Sequence, residues 1–374
     1  MEFIIKREDL LKSLLISQGV IEKRSVMPIL ENILIDVTSG RMEFIATDLE
    51  IGIHGSCEVD VIEEGKTLLL VKKVLNITRE LSEKDIRLKE IVNPHGGREI
   101  EIFCGRAEFN INTSEYIDFP NLPLYENVDL FGVDSEKLRD MIAKTIYAAS
   151  VDERRYNLNG VFFEKEEKKI RMVATNGHRL SLIERESDEV EGLHLEKGVT
   201  FPRKGLNELK RILEEYRNEK KVYIGFKGNN GVFRIDRLTM IMRLIEGDFP
   251  DYRTLIPKEN EKKFFVNRRE LLGLLKRVSS VCSDRLRPLK FNLTQGKMSL
   301  CASIQNEGEA YDEIDLDYEG DDLTIGFNTD YFIEALNNLE SEEVRIELKD
   351  NVKPAVIRMN NRDNYVCIIM PMRI

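Results

Sequence analysis

Asp118-Phe119-Pro120 and Asp248-Phe249-Pro250 are two copies of one tripeptide, and each follows a long run of predicted strands and helices. A second landmark has nearly the same spacing, since Ala46-Thr47-Asp48-Leu49 recurs as Ala174-Thr175-Asn176-Gly177 and, more faintly, as Ala302-Ser303-Ile304-Gln305. A repeat of this length matches one independent domain and is far too long for a solenoid unit. The sequence therefore predicts three tandem homologous domains, at 1–125, 126–256 and 257–374.

The composition is that of an ordinary soluble globular protein. Of 374 residues, 42% are apolar and 33% are charged. The first residues are too polar for a signal peptide, and no apolar run approaches the roughly 20 residues that cross a membrane. We therefore expect a cytoplasmic protein without a membrane partner.

The cysteines predict neither a disulfide framework nor a zinc site. They are odd in number, far apart and free of Cys-x-x-Cys spacing, which is typical of reduced, buried thiols. We expect no metal and no cofactor. The five positions are Cys57, Cys104, Cys282, Cys301 and Cys367.

Each repeat predicts two amphipathic helices among alternating strands. Leu10, Leu11, Leu14 and Leu15 have helical spacing in the first repeat, and further helices are predicted at 72–81 and 202–216. The pattern of a strand, a helix and three strands then occurs again within the repeat. This favours an α+β fold in which two helices per domain are backed by antiparallel sheets.

The net charge of −11 is unevenly distributed along the chain. Lys and Arg outnumber Asp and Glu over the predicted helices and the turns that follow the first helix of each pair, whereas the remaining chain carries the acidic excess. Such a protein can present one face to phosphate while the rest repels it. The alternative is that these helices are rich in lysine only for helix propensity.

His178 is the natural candidate for a general base, because it lies in a dense polar cluster between Gly177 and Arg179. No Ser or Cys nucleophile motif accompanies it, and the histidines have no metal-ligand spacing. Gly65-Lys66-Thr67 lacks the earlier glycine and the following helix of a P-loop. Catalysis therefore has weak support from the motifs.

Longer motifs give the chain a full-length resemblance to a known family. They are Met27-Pro28-Ile29-Leu30, Asp118-Phe119-Pro120-Asn121-Leu122, Thr175-Asn176-Gly177-His178-Arg179-Leu180, Pro202-Arg203-Lys204-Gly205 and Met370-Pro371-Met372-Arg373-Ile374. With the repeat and the paired helices, the chain resembles the bacterial DNA polymerase III beta subunits, the sliding clamps. The resemblance implies a clamp fold that closes as a head-to-tail homodimer into a six-domain ring around duplex DNA. It also implies binding of the polymerase III alpha subunit, a clamp loader and other clamp-motif proteins.

The resemblance, together with charge and position, predicts three sets of site residues. Sequence-independent contacts with double-stranded DNA are expected from Arg24, Lys72, Lys73, Arg79, Arg203, Lys204 and Arg269. A groove for partner peptides between the second and third domains is expected from Leu158, Thr175, Gly177, His178, Arg179, Leu180, Pro250, Leu255, Leu286, Pro354, Ile368, Ile369, Met370, Pro371, Met372 and Arg373. The dimer interface is expected at Phe109 and Ile111, paired near Ser280 and Val281.

Three alternatives remain open from the sequence. A phosphodiester-acting enzyme would use His178 with nearby carboxylates, and a monomeric scaffold would bind peptides without DNA. For Leu158, Leu180 and Ile368, plain core packing competes with a place in the groove. The clamp itself is predicted to have no catalytic residue.

Overall fold

The structure is a computed structural model that describes residues 1–21, 27–123, 127–190, 193, 195, 197–257, 260–282, 287–304, 308–360 and 362–373. Within these ranges the chain forms six α-helices and 25 β-strands, and all strand pairs are antiparallel. By its internal contacts the chain separates into two compact units. One is Met1–Glu136 with Lys204–Leu244, and the other is Lys137–Arg203 with Ile245–Ile374.

The first unit contains two sheets. The strands of the smaller sheet are β1 (Glu2–Lys6), β5 (Asp60–Glu63), β7 (Asp85–Val92), β8 (Arg98–Cys104) and β9 (Ala107–Thr113), in the order β5-β1-β7-β8-β9. Those of the larger sheet are β2 (Asn32–Thr38), β3 (Arg41–Thr47), β4 (Ile51–Glu58), β6 (Gly65–Leu70), β10 (Phe131–Asp134), β15 (Lys221–Lys227), β16 (Asn230–Ile235) and β17 (Leu238–Arg243), in the order β10-β15-β16-β17-β4-β3-β2-β6. The helices are α1 (Arg7–Val20), α2 (Val71–Glu80) and nearly all of α4 (Arg203–Glu215).

The second unit also contains a large and a small sheet. The strands of the large sheet are β11 (Gly160–Glu166), β12 (Lys169–Thr175), β13 (Arg179–Glu186), β14 (Val199–Pro202), β18 (Lys262–Asn267), β23 (Glu343–Leu348), β24 (Ala355–Met359) and β25 (Arg362–Ile369), in the order β14-β11-β12-β13-β25-β24-β23-β18. Those of the small sheet are β19 (Pro288–Thr294), β20 (Lys297–Ile304), β21 (Gly308–Asp315) and β22 (Leu323–Asn328), in the order β21-β20-β19-β22. The helices are most of α3 (Ser135–Ile146), α5 (Arg268–Val278) and α6 (Thr329–Asn337).

Neighbouring repeats share their large sheets. In the first unit β4 pairs with β17, and in the second unit β13 pairs with β25. Backbone hydrogen bonds thus continue from one repeat into the next, which explains why the compact units divide the second repeat. The three domain boundaries remain a prediction.

The helical pattern is found in the structure with small shifts at the ends. Leu10 and Leu14 are buried in α1, as expected for the face of an amphipathic helix. The predicted helix at 72–81 begins and ends one residue earlier. The predicted start of α4 at Pro202 is wrong, because Pro202 ends β14, where it lies opposite Gly160.

Candidate functional site

A tight turn between β12 and β13 begins the site. The side-chain oxygen Oδ1 of Asn176 accepts hydrogen bonds from the backbone N–H groups of His178 and Arg179, both at 3.0 Å. The Thr175 hydroxyl donates to the Arg179 carbonyl at 2.6 Å and accepts from the Gly177 N–H at 3.1 Å. Gly177 has a φ of 86°, a left-handed conformation that glycine adopts at little cost. The turn therefore fixes the backbone that carries His178 and Arg179.

The Arg179 guanidinium is the most heavily buried charge at this turn. Its side chain is 10% exposed, and it donates to the carboxylate of Glu334 and to the carbonyl of Tyr147. The Tyr331 ring centre lies 4.7 Å from the guanidinium carbon, and the Tyr147 ring centre lies 5.3 Å from it. A carboxylate and two aromatic rings thus compensate the cost of burying this cation.

A buried polar network holds Tyr147 in place. Its hydroxyl lies 3.2 Å from the hydroxyl of Tyr365 and 3.2 Å from Sγ of Cys367. The Tyr365 hydroxyl donates to the Lys144 carbonyl at 3.0 Å. Burial raises the pKa of the Tyr147 phenol and of the Cys367 thiol, so both groups stay neutral at neutral pH. The network positions Tyr147 and offers no accessible thiolate.

A cavity of about 660 Å³ opens beside Arg179. Its lining includes Asn176, Arg155, Arg203 and Glu334. Nη1 of Arg155 donates to the Asn176 carbonyl at 3.1 Å. Side chains from the turn, from the segment after α3 and from α6 therefore meet at one polar cavity. The sequence did not predict Tyr147, Arg155, Tyr331 or Glu334 as site residues. Among them only Arg155 had a visible signal in the sequence, because it follows Arg154 in a basic pair.

The predicted groove residues divide by burial. Leu158, Thr175, Leu180, Pro354, Ile368 and Ile369 are buried, Arg179, Pro371 and Met372 are partly buried, and Gly177, His178, Pro250, Leu255, Met370 and Arg373 are exposed. Leu286 lies outside the described residues, as do Arg24 of the DNA-binding set and the last residue of the third repeat landmark, Gln305.

Leu180 and Ile368 lie opposite each other in adjacent strands, and both belong to one apolar cluster. Val173, Leu182 and Tyr252 are among its other members. Core packing, the alternative that the sequence left open, therefore describes the present environment of these two side chains.

The chain after β25 is held by backbone pairing. The N–H of Met370 donates to the His178 carbonyl at 2.8 Å, and the N–H of Met372 donates to the Gly326 carbonyl at 2.9 Å. The Met370 side chain is 39% exposed. The C-terminal segment thus presents an apolar side chain beside the turn.

The predicted DNA-binding residues also fall into two groups. Lys72, Lys73 and Arg79 are exposed on α2, and Arg269 is exposed at the start of α5. Arg203 lines the cavity, and the Lys204 ammonium forms an ion pair with Asp48, whose side chain is only 5% exposed. Lys204 therefore has a structural partner inside the first unit.

The predicted interface residues lie near two sheet edges. Phe109 and Ile111 are on β9, the last strand of its sheet, beside a cavity of about 400 Å³ that Lys73 and Ile77 also line. Ser280 and Val281 follow α5, which packs against β21, an edge strand of the small sheet in the second unit. An exposed strand edge can pair with a second chain.

The described residues form no arrangement that supports the enzyme alternative. Among the described residues, no three His, Cys, Asp or Glu side chains are grouped to hold a metal ion. No described helix is long and apolar enough to span a membrane. The thiol of Cys57 is also unsuited to attack, because burial raises its pKa to about 12.

Comparisons with known proteins agree along the whole chain. Family models of the DNA polymerase III beta subunit match the N-terminal domain at residues 1–123, the central domain at 132–251 and the C-terminal domain at 253–373. A beta sliding clamp from Escherichia coli (strain K12) is 31% identical over 375 residues, with all of both chains covered. One from Pseudomonas putida is 30% identical over 382 residues, again with full coverage.

Solved structures give the same result. A beta sliding clamp from C. crescentus has a TM-score of 0.93 at 28% identity, over 100% of this chain and 99% of that one. A Pseudomonas aeruginosa sliding clamp bound to griselimycin has a TM-score of 0.92 at 29% identity, with full coverage of both chains. These matches show that the chain belongs to the DNA polymerase III beta subunit family, the bacterial sliding clamps.

Proposed function

We propose that two copies of this chain join head to tail in a ring that encircles duplex DNA and tethers a DNA polymerase to it, without catalytic activity of its own. The observation that carries the proposal is the likeness to solved sliding clamps over the whole chain. Three domains per chain, at 1–125, 126–256 and 257–374, give six domains in the dimer. The ring acts in the cytoplasm.

Ring closure uses the two exposed sheet edges. Phe109 is partly buried on β9, and Ile111 is 7% exposed there. Their apolar side chains gain contacts when an edge of the partner chain, near Ser280 and Val281, pairs with β9. Burial of the exposed part of Phe109 at the interface stabilises the dimer, whereas Ile111 is already buried within its own chain.

DNA contacts are directed to the phosphate backbone. Lys72, Lys73 and Arg79 of α2 and Arg269 of α5 present exposed cations that can follow phosphates of any sequence, and Arg24 belongs to the same set. The predicted set also includes Arg203 and Lys204. We expect them to contribute less to DNA affinity, because Arg203 lines the cavity and Lys204 is paired with Asp48.

Partner peptides bind beside the turn at Thr175–Arg179. The exposed Leu255 and Met370 offer apolar contacts, and Leu180 with Ile368 lies in the apolar cluster beneath. An extended peptide with apolar anchors suits such a surface. The polymerase III alpha subunit, the clamp loader and other clamp-motif proteins are the proposed partners.

Native mass spectrometry tests the ring. The wild-type chain should be a dimer at low micromolar concentration, whereas Phe109→Asp should be a folded monomer that no longer remains on circular DNA, because Phe109 is only partly buried on its edge strand. The matched control is Phe265→Asp, on the edge strand β18, where the aromatic side chain is 46% exposed. A wild-type monomer, or a Phe109→Asp variant that stays dimeric, would contradict this interface.

A further inference from the structure

The Arg7 side chain begins α1 but binds the far end of α2. Nε of Arg7 donates to the Thr78 carbonyl and Nη2 donates to the Arg79 carbonyl, both at 2.9 Å. These carbonyls lie in the last turn of α2, where such groups have no partner inside the helix and the helix dipole presents its negative end. One guanidinium therefore fixes the helix end and the backbone that carries Arg79.

The third repeat contains the same arrangement. Arg268 begins α5, and its Nη1 donates to the Leu336 carbonyl, in the last turn of α6, at 3.0 Å. Its Nε donates to the Ser341 carbonyl, just beyond α6, at 3.1 Å. We call each pair of hydrogen bonds, from Arg7 or from Arg268, a helix-end contact. Its occurrence in two repeats shows that it belongs to the repeated fold and is not an accident of one surface side chain.

A backbone hydrogen bond identifies the equivalent residue of the second repeat. The N–H groups of Arg7, Ser135 and Arg268 each donate to the carbonyl that precedes the strand after the second helix, at 2.6, 2.9 and 2.9 Å. The three acceptors are Lys84, Lys220 and Glu342. The Ser135 hydroxyl is buried and has no hydrogen-bond partner among the described residues. A serine supplies neither the charge nor the several donors of a guanidinium, so this position is an internal comparison without the arginine.

We propose that Arg7 is a positioning residue for DNA binding, which holds the last turn of α2 so that Arg79 faces the phosphate backbone. Arg7 itself does not contact DNA, although its charge alone would place it with the exposed cations Lys72 and Lys73 of α2. Arg268 holds the end of α6 in the same way. The proposal rests on the DNA-binding function proposed above and adds a residue that acts through Arg79.

The burial of Thr78 explains why Arg7 stays on the helix. Thr78 is 1% exposed, so its carbonyl would lose a hydrogen bond without gaining water if the guanidinium turned towards a phosphate. Arg79 has no such constraint, because its side chain is exposed while its carbonyl accepts from Arg7. Arg79 is therefore the cation that can reach DNA, and Arg7 is the cation that fixes its backbone.

A double-mutant cycle on DNA affinity tests this division of roles. Fluorescence anisotropy measures binding of a labelled linear duplex to the wild-type chain, Arg7→Gln, Arg79→Gln and the double variant at several salt concentrations. Arg79→Gln should lower the affinity about three- to tenfold and make the dependence of log affinity on log salt shallower by about one. Arg7→Gln should lower the affinity by no more than Arg79→Gln does. The double variant should match Arg79→Gln within about twofold, because Arg7 acts through the residue already removed.

Hydrogen exchange measures the helix-end contact without DNA. Arg7→Gln should raise the exchange rates of amides in the last turn of α2 about tenfold, and Arg268→Gln should do the same in α6. Arg7→Lys keeps a charged donor at the helix end and should return the rates to within about threefold of wild type. Two matched controls should change the rates at the end of the second helix of their own repeat about twofold at most. Lys6→Gln removes the exposed charge next to Arg7, and Ser135→Ala removes the unbonded hydroxyl at the equivalent position.

Each failure has its own signature. Equal losses of affinity from Arg7→Gln with and without Arg79 would show that Arg7 contacts phosphate itself, and wild-type affinity of Arg7→Gln would show that it positions nothing for DNA. Unchanged exchange in Arg7→Gln would overturn the helix-end contact of α2 and the proposal with it. If the wild-type chain binds no duplex, the proposed DNA-binding function is wrong and so is the role of Arg7 in it, while faster exchange in Arg7→Gln would still establish the contact.

Discussion

The turn at Thr47–Ile51 and the turn at Thr175–Arg179 share one hydrogen-bond pattern and differ in charge. In each, a threonine hydroxyl donates to the carbonyl four residues on, and a side-chain oxygen accepts two backbone N–H groups. In the first turn the carboxylate of Asp48 is also paired with Lys204, whereas the neutral Asn176 of the second adjoins an arginine-lined cavity. The two copies of the repeat thus share one backbone conformation. A single difference in side chain gives the first turn a structural ion pair and leaves the second turn beside a candidate binding site.

The side chains next to the two turns differ as well. Gly52 follows the first turn, and a Cβ at this position would lie 2.0 Å from Cδ1 of Leu122. Leu180 holds the equivalent position after the second turn and packs with Tyr252, the counterpart of Leu122. We call residues 118–122 the first linker and residues 248–252 the second linker. Beside the first turn, the space next to Gly52 is occupied by Leu122 of the first linker, whereas beside the second turn Leu180 of β13 occupies the equivalent space against Tyr252 of the second linker.

The largest expected effect is at Leu180. The side chain is 2% exposed in an apolar cluster, so Leu180→Asp should lower the free energy of unfolding by at least about 3 kcal/mol. Urea unfolding followed by circular dichroism measures the change. Leu255→Asp is the control, because Leu255 is 43% exposed, and it should cost less than about 1 kcal/mol. Near-wild-type stability of Leu180→Asp would show that this strand pair is loosely packed.

The second effect separates the two roles of Asp48. Asp48→Asn keeps the turn but removes the ion pair with Lys204, and it should cost about 1–2 kcal/mol. Asp48→Ala also removes the acceptor for the N–H groups of Glu50 and Ile51, and it should cost about 1–2 kcal/mol more. Equal unfolding free energies for the two variants would mean that the side-chain acceptor contributes nothing to the turn.

The sequence predicted the internal repeat and the paired helices because both depend on local patterns. Thr47-Asp48 and Thr175-Asn176 differ by little, and the leucine spacing in α1 is visible without a structure. The pairing of β13 with β25 was not predictable in this way, because the strands are far apart in sequence and no local period encodes their register.

The site was predicted only where family motifs cover it. His178 and Arg179 lie in such a motif, whereas Tyr147 reaches Arg179 from the segment after α3 and Glu334 reaches it from α6, and neither residue carries a sequence signal of its own. Lys204 was predicted from its charge as a DNA contact, but charge in a sequence does not reveal a carboxylate partner such as Asp48.

The third effect uses the left-handed residue of each turn. Gly177→Ala should cost about 1–2 kcal/mol, because Gly177 has a φ of 86° and its Cβ would lie 2.8 Å from Nη1 of Arg155. Leu49 occupies the same place with a φ of 77° and is 57% exposed, so Leu49→Gly should stabilise the chain by up to about 1 kcal/mol. Thermal unfolding of both variants tests the pair. If both substitutions changed the stability of the chain in the same direction, the two turns would not be conformationally equivalent.

The smallest effect concerns how the two linkers are held. Leu122 contacts its sheet through apolar atoms, whereas the Tyr252 hydroxyl donates to the Glu164 carboxylate, which also binds Arg171 at 2.7 Å and Arg253 at 2.8 Å. Burial acts to raise the pKa of Glu164, but the hydrogen bonds from Tyr252 and Arg171 outweigh it and hold this pKa below its usual range. The second linker is therefore fastened by a group that titrates in acid.

A carboxyl group whose pKa is lowered by folding stabilises the folded chain above its unfolded pKa of about 4.3, and this contribution is lost as the pH falls through the lower, folded value. Glu164→Gln should therefore lower the free energy of unfolding by about 1 kcal/mol at pH 7, and the difference from the wild type should shrink at pH 3. Leu122→Ala is the control, since loss of an apolar contact should cost the same at both pH values. Urea unfolding at each pH measures the differences. If the Glu164→Gln difference stays constant with pH, the carboxylate network does not fasten the second linker, and the two linkers are held in the same way.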